Sequence, residues 1–146
     1  MNMNINYTKL RYNAVAPTRG SLCAAGYDLS AAIDESAMIA PHCTVEIPTG
    51  LSMELPDGTF GGIYARSGIA SREGLRPANC TGVIDSDYRG EIIVALHNDS
   101  DTHRIVEPGE RIAQLIVQPY VNATYNETND LSNTERGTGG FGSTGK

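Results

Sequence analysis

Apolar residues in this chain alternate with polar ones in short runs, and no window of eleven or more residues carries a sustained helical stripe. That spacing removes a βαβ architecture, which needs crossover helices of about a dozen residues to join its parallel strands. Segments 44–47, 51–55 and 91–97 read as short strands, and 111–117 is apolar enough to lie across a core before Pro119 stops it. Turn residues bound these runs: Pro56-Asp57-Gly58, Tyr88-Arg89-Gly90 and Glu107-Pro108-Gly109-Glu110. The local exception is 69–75, where a short helical turn or an irregular loop fits. Many short strands with sixteen glycines and seven prolines predict an all-β sandwich or jelly roll, with the strand order left open.

A length of 146 residues suits one domain with a substantial core. No run of eighteen apolar residues is present, so no membrane partner is expected, and residues 1–5 offer neither a basic leader nor a long apolar segment. The expected setting is the cytoplasm, or the interior of a host cell for a viral protein. Cys23, Cys43 and Cys80 are odd in number and widely spaced, which fits reduced thiols better than a disulfide framework or a cysteine-rich metal site. A formal charge of −6 argues against a stable nucleic-acid partner, yet leaves room for a small basic pocket. Nine of the eleven basic residues are Arg, suited to forked contacts with phosphate or carboxylate as well as to ordinary surface pairing.

Phosphate chemistry is suggested by three segments. The tail 136–145 sets five glycines around Arg136, Phe141 and the hydroxyls of Thr138, Ser143 and Thr144, so its backbone N–H groups can curl around an anion. It lacks the Gly-Lys-Ser/Thr ending of a Walker A loop. Arg66, Ser67 and Gly68 follow an apolar run and offer a guanidinium fork, a hydroxyl and close backbone approach, although such a triplet is also a common surface turn. Asp85 follows two apolar residues and precedes a polar turn, which suits a carboxylate at the mouth of a pocket that deprotonates a water. Asp87 competes for that role, and both aspartates also suit plain turn positions. Asp28, between Tyr27 and Leu29, sits in a buriable stretch and should be paired with an Arg or held near a hydrated metal. His42, His97 and His103 form no zinc-like grouping with cysteine, so the metal that phosphate chemistry requires is a hard, oxygen-seeking cation.

Taken in order, five segments resemble the five motifs of the trimeric dUTPase family: 25–29, 65–70, 82–90, 110–115 and 136–145. The resemblance runs from about Leu10 to Gly145, and the third and fifth segments are its most specific parts. It implies a jelly-roll-like β-sandwich or barrel over 1–121 and a flexible glycine-rich C-terminal arm over 122–146. The assembly implied is a homotrimer with shared active sites, in which each arm closes a neighbouring subunit's site. The arm composition agrees, since 122–135 lacks the apolar density to order itself without another surface.

The activity implied is Mg²⁺-dependent hydrolysis of dUTP to dUMP and pyrophosphate, limiting uracil in DNA and supplying dUMP for thymidylate synthesis. Asp85 would be the catalytic carboxylate acting on a water that attacks the α-phosphorus. Tyr88 would pack on the deoxyribose and leave no room for a 2′-hydroxyl. Uracil would be read by the backbone around Asn79, Gly82 and Val83, with the Asn79 side chain assisting, and be covered by Phe141. Arg66, Ser67, Gly68 and Gln114 would line the phosphate channel, joined by Arg136, Gly142, Ser143 and Thr144 of the arm. Mg²⁺ would be carried by the triphosphate and waters with no direct protein ligand, and Asp28 would support it. The sequence departs from the family at Ala65, where proline is frequent, and over 71–77. Two rivals remain: a dCTP deaminase of shared fold, which would release ammonia rather than pyrophosphate, and a non-catalytic binding protein, which would not need Asp85, Tyr88 and the tail together.

Overall fold

In the strand Ile93–Asn98 burial alternates residue by residue: Val94, Leu96 and Asn98 are buried, while Ile93, Ala95 and His97 are not. This is the two-residue period of the sequence converted into a core face and an outer face. The computed structural model describes residues 3–141. In chain order it has β1 (Asn6–Lys9), β2 (Tyr27–Ser30), β3 (Ala37–Ile39), β4 (Thr44–Pro48), β5 (Leu51–Glu54) and β6 (Thr59–Tyr64). The helix α1 (Ser67–Glu73) follows, then β7 (Leu75–Pro77), β8 (Gly82–Ile84), β9 (Ile93–Asn98), β10 (Arg104–Val106) and β11 (Arg111–Pro119).

Every strand pairing among these residues is antiparallel. The sheets are β2-β11-β6-β8, β4-β9-β7, β1-β5 and β10-β3. They share one core, in which Leu29, Ile39, Ile47, Leu51, Leu75, Leu96, Val106 and Ile112 are fully buried. Layered antiparallel sheets around a common core form a β architecture of the sandwich or jelly-roll kind.

The expected strands at 44–47 and 111–117 each extend slightly further, whereas 91–97 begins later. Ile92 is held instead by the segment 49–51, its N–H donating to the Leu51 carbonyl at 2.8 Å and its carbonyl accepting from the Thr49 N–H at 3.1 Å. The irregular region at 69–75 overlaps α1, two turns long with Ile69 as its buried residue. Gly74 ends it at φ 72°, a left-handed cap whose N–H reaches the Ile69 carbonyl. After β11, residues 120–141 contain no further strand or helix and are exposed nearly throughout.

Candidate active site

The middle of the four-stranded sheet gathers polar groups from three distant segments. Register sets Gln114 of β11 opposite Asp28 of β2 on one side and Tyr64 of β6 on the other. Just past β6, Arg66 turns back toward β2 and its Nε donates to Asp28 Oδ1 at 2.8 Å. Arg111 Nη1 donates to Asp28 Oδ2 at 3.1 Å. Asp28 thus has the Arg partner its burial demanded, and a second one that sequence reading missed, although Arg111 lies within the fourth motif. Two guanidiniums on one carboxylate leave a net positive charge, the balance needed to hold an anion.

Gln114 Nε2 donates to the Ala65 carbonyl at 2.8 Å and fixes the loop that carries Arg66. Gly26 makes room for this contact, because a Cβ there would fall on the Gln114 amide. Ser67 is exposed at the start of α1, and the Arg72 guanidinium lies over Gly68, where a Cβ would meet its Nη2 at 2.9 Å.

A second group lies elsewhere. Val83, Ile84, Asp85, Tyr88, Glu91 and Ile93 line a cleft of about 190 Å³. Asp85 is on its wall and Asp87 is not among the lining residues. The Tyr88 N–H closes a turn onto the Asp85 carbonyl at 3.1 Å, and the Tyr88 hydroxyl donates to the Glu91 carbonyl at 3.0 Å. Gly90 is required beneath the ring, since a Cβ there would fall on the phenol. Next to this cleft, β8 is the edge strand of its sheet, with β6 on one side and no strand on the other among the described residues. One row of its backbone donors and acceptors therefore has no strand partner. The loop before β8 turns at Cys80, φ 60°, and brings the Asn79 amide beside Gly82. A larger cleft of about 450 Å³ is lined by Met3, Ile5, Tyr7, Tyr27, Met53 and Leu115 among others; it is mainly apolar and contains none of the candidate acids.

One chain does not bring the two groups together. Gly61 of β6 pairs with Ile84 of β8, so Asp85 sits at one end of that ladder while Arg66 lies five residues beyond Gly61 at the other. At about 3.4 Å per residue this is a separation on the order of 15 Å along the strands. Arg66 also reaches toward β2, three strand positions from β8 in the sheet order.

The arm residues touch neither group through the bonds they make. Arg136 Nε donates to the Gly139 carbonyl at 2.8 Å, a local contact. Phe141 is fully exposed, at φ 46°. Gly142, Ser143 and Thr144 lie outside the described residues. Among the described residues no group of three or more His, Cys, Asp or Glu side chains is arranged to hold a metal ion, and no helix is long and apolar enough to cross a membrane.

A family model described as dUTPase matches residues 12–145. The chain is 47% identical over 137 residues to the deoxyuridine 5'-triphosphate nucleotidohydrolase of Oryza sativa subsp. japonica, covering 94% of this chain and 78% of that one. It is 44% identical over 143 residues to the protein of the same name from Hydrogenobaculum sp., covering 98% and 99%. Among solved structures it is similar to the dUTPase of Staphylococcus bacteriophage 80alpha with dUpNHpp, at a TM-score of 0.90 and 28% identity over 99% of this chain and 100% of that one. A mutant dUTPase from phage phi11 of S. aureus, described for the coordination of a structural Mg(II) ion, shares the fold with a TM-score of 0.81 at 22% identity, covering 90% and 100%. Since the family model and these relatives span nearly all of the sequence, both halves of the candidate site included, the chain belongs to the dUTPase family.

Proposed function

We propose that the chain is a dUTP diphosphatase that hydrolyses dUTP to dUMP and pyrophosphate, works as a homotrimer, and uses Asp85 to activate the attacking water. The reaction follows from family membership; it limits uracil in DNA and supplies dUMP for thymidylate synthesis. The observation that carries the shared site is the distance between its halves. A general base must lie within hydrogen-bond reach of the proton it takes, directly or through one water. The Asp85 cleft and the Asp28–Arg66–Arg111 cluster lie toward opposite ends of the β6–β8 ladder of one chain, which supports a site that takes its halves from different copies.

On this reading Tyr88 forms the wall against the deoxyribose, where a 2′-hydroxyl would clash. The open edge of β8 around Gly82 and Val83, with Asn79, reads the uracil edge; cytosine presents the opposite donor pattern and would leave buried groups unpaired. Arg66, Arg111, Ser67, Gly68 and Gln114 bind the triphosphate from the second copy and neutralise charge that builds on the leaving pyrophosphate. The division of labour along the chain is a jelly-roll domain over 1–121 and an arm over 122–146. The arm brings Arg136, Gly142, Ser143 and Thr144 to the phosphates and Phe141 over the base, where it shields the water from bulk solvent. A ring left wholly exposed in its own chain is consistent with a partner surface elsewhere.

The donor set fits a cation that arrives with the substrate. Both Asp28 oxygens already accept from guanidiniums, so Asp28 would contact a hydrated Mg²⁺ through water rather than as a ligand. When bound, Mg²⁺ supplies charge neutralisation on the triphosphate oxygens.

A panel of dUTP, dCTP, dTTP and UTP incubated with Mg²⁺ tests the assignment, with pyrophosphate and ammonia followed together. Selective release of pyrophosphate from dUTP is expected. Ammonia from dCTP, or equal turnover of UTP, would overturn it.

A further inference from the structure

Glu91 occupies a position that the motif pattern leaves unexplained. It lies on the wall of the Asp85 cleft, directly after the glycine on which the Tyr88 ring rests, and its carbonyl accepts the Tyr88 hydroxyl. Its side chain, 17% exposed, is gripped by Arg11. Arg11 Nε meets Oε1 at 2.7 Å and Nη2 meets Oε2 at 3.0 Å, a two-pronged fork between residues eighty positions apart. Oε1 accepts a further bond from the Gly50 N–H at 2.8 Å. Gly50 is itself fixed: its φ is 67°, a Cβ there would meet Ala14 at 2.6 Å and the Arg11 stem at 3.1 Å, and its carbonyl accepts from the Leu10 N–H.

We infer that the Arg11–Glu91 pair is a positioning device for sugar selection: it locks the main chain at 90–91, which fixes the Tyr88 ring and so sets the discrimination between dUTP and UTP. The inference rests on the dUTP reading and adds residues outside the five motifs, Arg11 and Glu91. Neither need touch the nucleotide. Tyr88 has two anchors, the bare face of Gly90 and the carbonyl of Glu91, and both move with the residue whose carboxylate is clamped. The next residue, Ile92, is buried and bonded to the strand after Gly50, so slack at position 91 has its outlet toward the ring.

The test compares kcat/KM for dUTP and UTP, by pyrophosphate release, in the wild type, Arg11→Lys, Arg11→Met, Glu91→Gln and the double variant Arg11→Met/Glu91→Gln, with thermal unfolding of each. A misplaced wall admits the ribose, so either single loss of the pair should cut the dUTP preference about tenfold, chiefly through a lower KM for UTP. The double variant should be no worse than the singles, because both remove one shared constraint. Arg11→Lys keeps the charge without the fork and should retain part of the preference while folding normally. Variants that melt earlier yet keep the wild-type ratio within about twofold would reduce the pair to a stabilising contact and overturn the inference. If the wild type itself shows no preference for dUTP over UTP, the reading of the site fails instead.

Discussion

Asp28 and Asp85 keep different company, and the difference supports the separate roles proposed for them. Asp28 has one oxygen on Arg66 and the other on Arg111, which suits holding those guanidiniums in place rather than taking a proton from water. Asp85 is exposed on its cleft and makes no ion pair among the described residues, which leaves it free to take that proton. Asp85→Asn should therefore keep KM for dUTP nearly constant and reduce kcat by about 10²- to 10⁴-fold, as expected for a lost general base. Arg66→Ala should show the converse emphasis. Loss of a charge-assisted contact of about 1.5–3 kcal/mol weakens triphosphate binding roughly ten- to hundredfold. Steady-state kinetics on the two variants separates the roles; a pure binding defect in Asp85→Asn would remove it from the chemistry. The sequence exposed Asp85 through its neighbours, two apolar residues and a polar turn, whereas nothing near Arg11 or Glu91 announced their pairing. Contacts between residues eighty positions apart carry no local signature.

Between elements, ion pairs do the work of longer loops. Arg11 links the segment after β1 to the one before β9, and Arg76 of β7 forks onto Asp99 just past β9 at 2.6 and 2.9 Å. Hydrogen bonding from Arg11, helped by the Gly50 N–H and opposed by burial, holds the Glu91 carboxyl below its ordinary range, and hydrogen bonding from Arg76 does the same for Asp99. A carboxylate whose pKa is lower folded than unfolded contributes stability that is present above its unfolded value and lost as pH falls through the folded one. Urea midpoints should accordingly hold steady down to about pH 4.5 and then decline. The decline should be shallower in Glu91→Gln, measured by circular dichroism, and an unchanged slope would deny the pair its linkage. The same scale shows what patterning could and could not reveal. Period-two runs located β4, β5 and β9, and a more continuous apolar run located β11. Three-residue strands such as β3, β7 and β8 are too short to display a period, and α1 buries Ile69 as its apolar anchor, so no helical stripe could mark it. Gly74 was the readable sign: a left-handed cap ends α1 there, and Gly74→Ala should cost roughly 1 kcal/mol in the same unfolding assay.

For the whole molecule, antiparallel pairing between β6 and β8 sets the Asp85 cleft and the Arg66 cluster toward opposite ends of a ladder, and the proposed function makes each of them half of a site. The sequence supplied the residues of both halves but had no means of stating their separation, which depends on register rather than on order. Closed symmetry resolves the geometry, because each interface of a ring can join one subunit's Asp85 end to the next subunit's Arg66 end and repeat without leaving a half unmatched. This arrangement predicts complementation between inactive proteins. Copies carrying Asp85→Asn still present a sound phosphate cluster, and copies carrying Arg66→Ala still present a sound base and sugar wall. When the two are co-expressed in equal amounts, a given site draws its base from an unaltered copy with an even chance and its phosphate cluster likewise, so about a quarter of the sites are whole. Hydrolysis of dUTP should recover to about a quarter of the wild-type rate per site, while either variant alone remains nearly inactive. A site contained within one chain gives a different result, since every chain then carries one lesion and no mixture can exceed its parents.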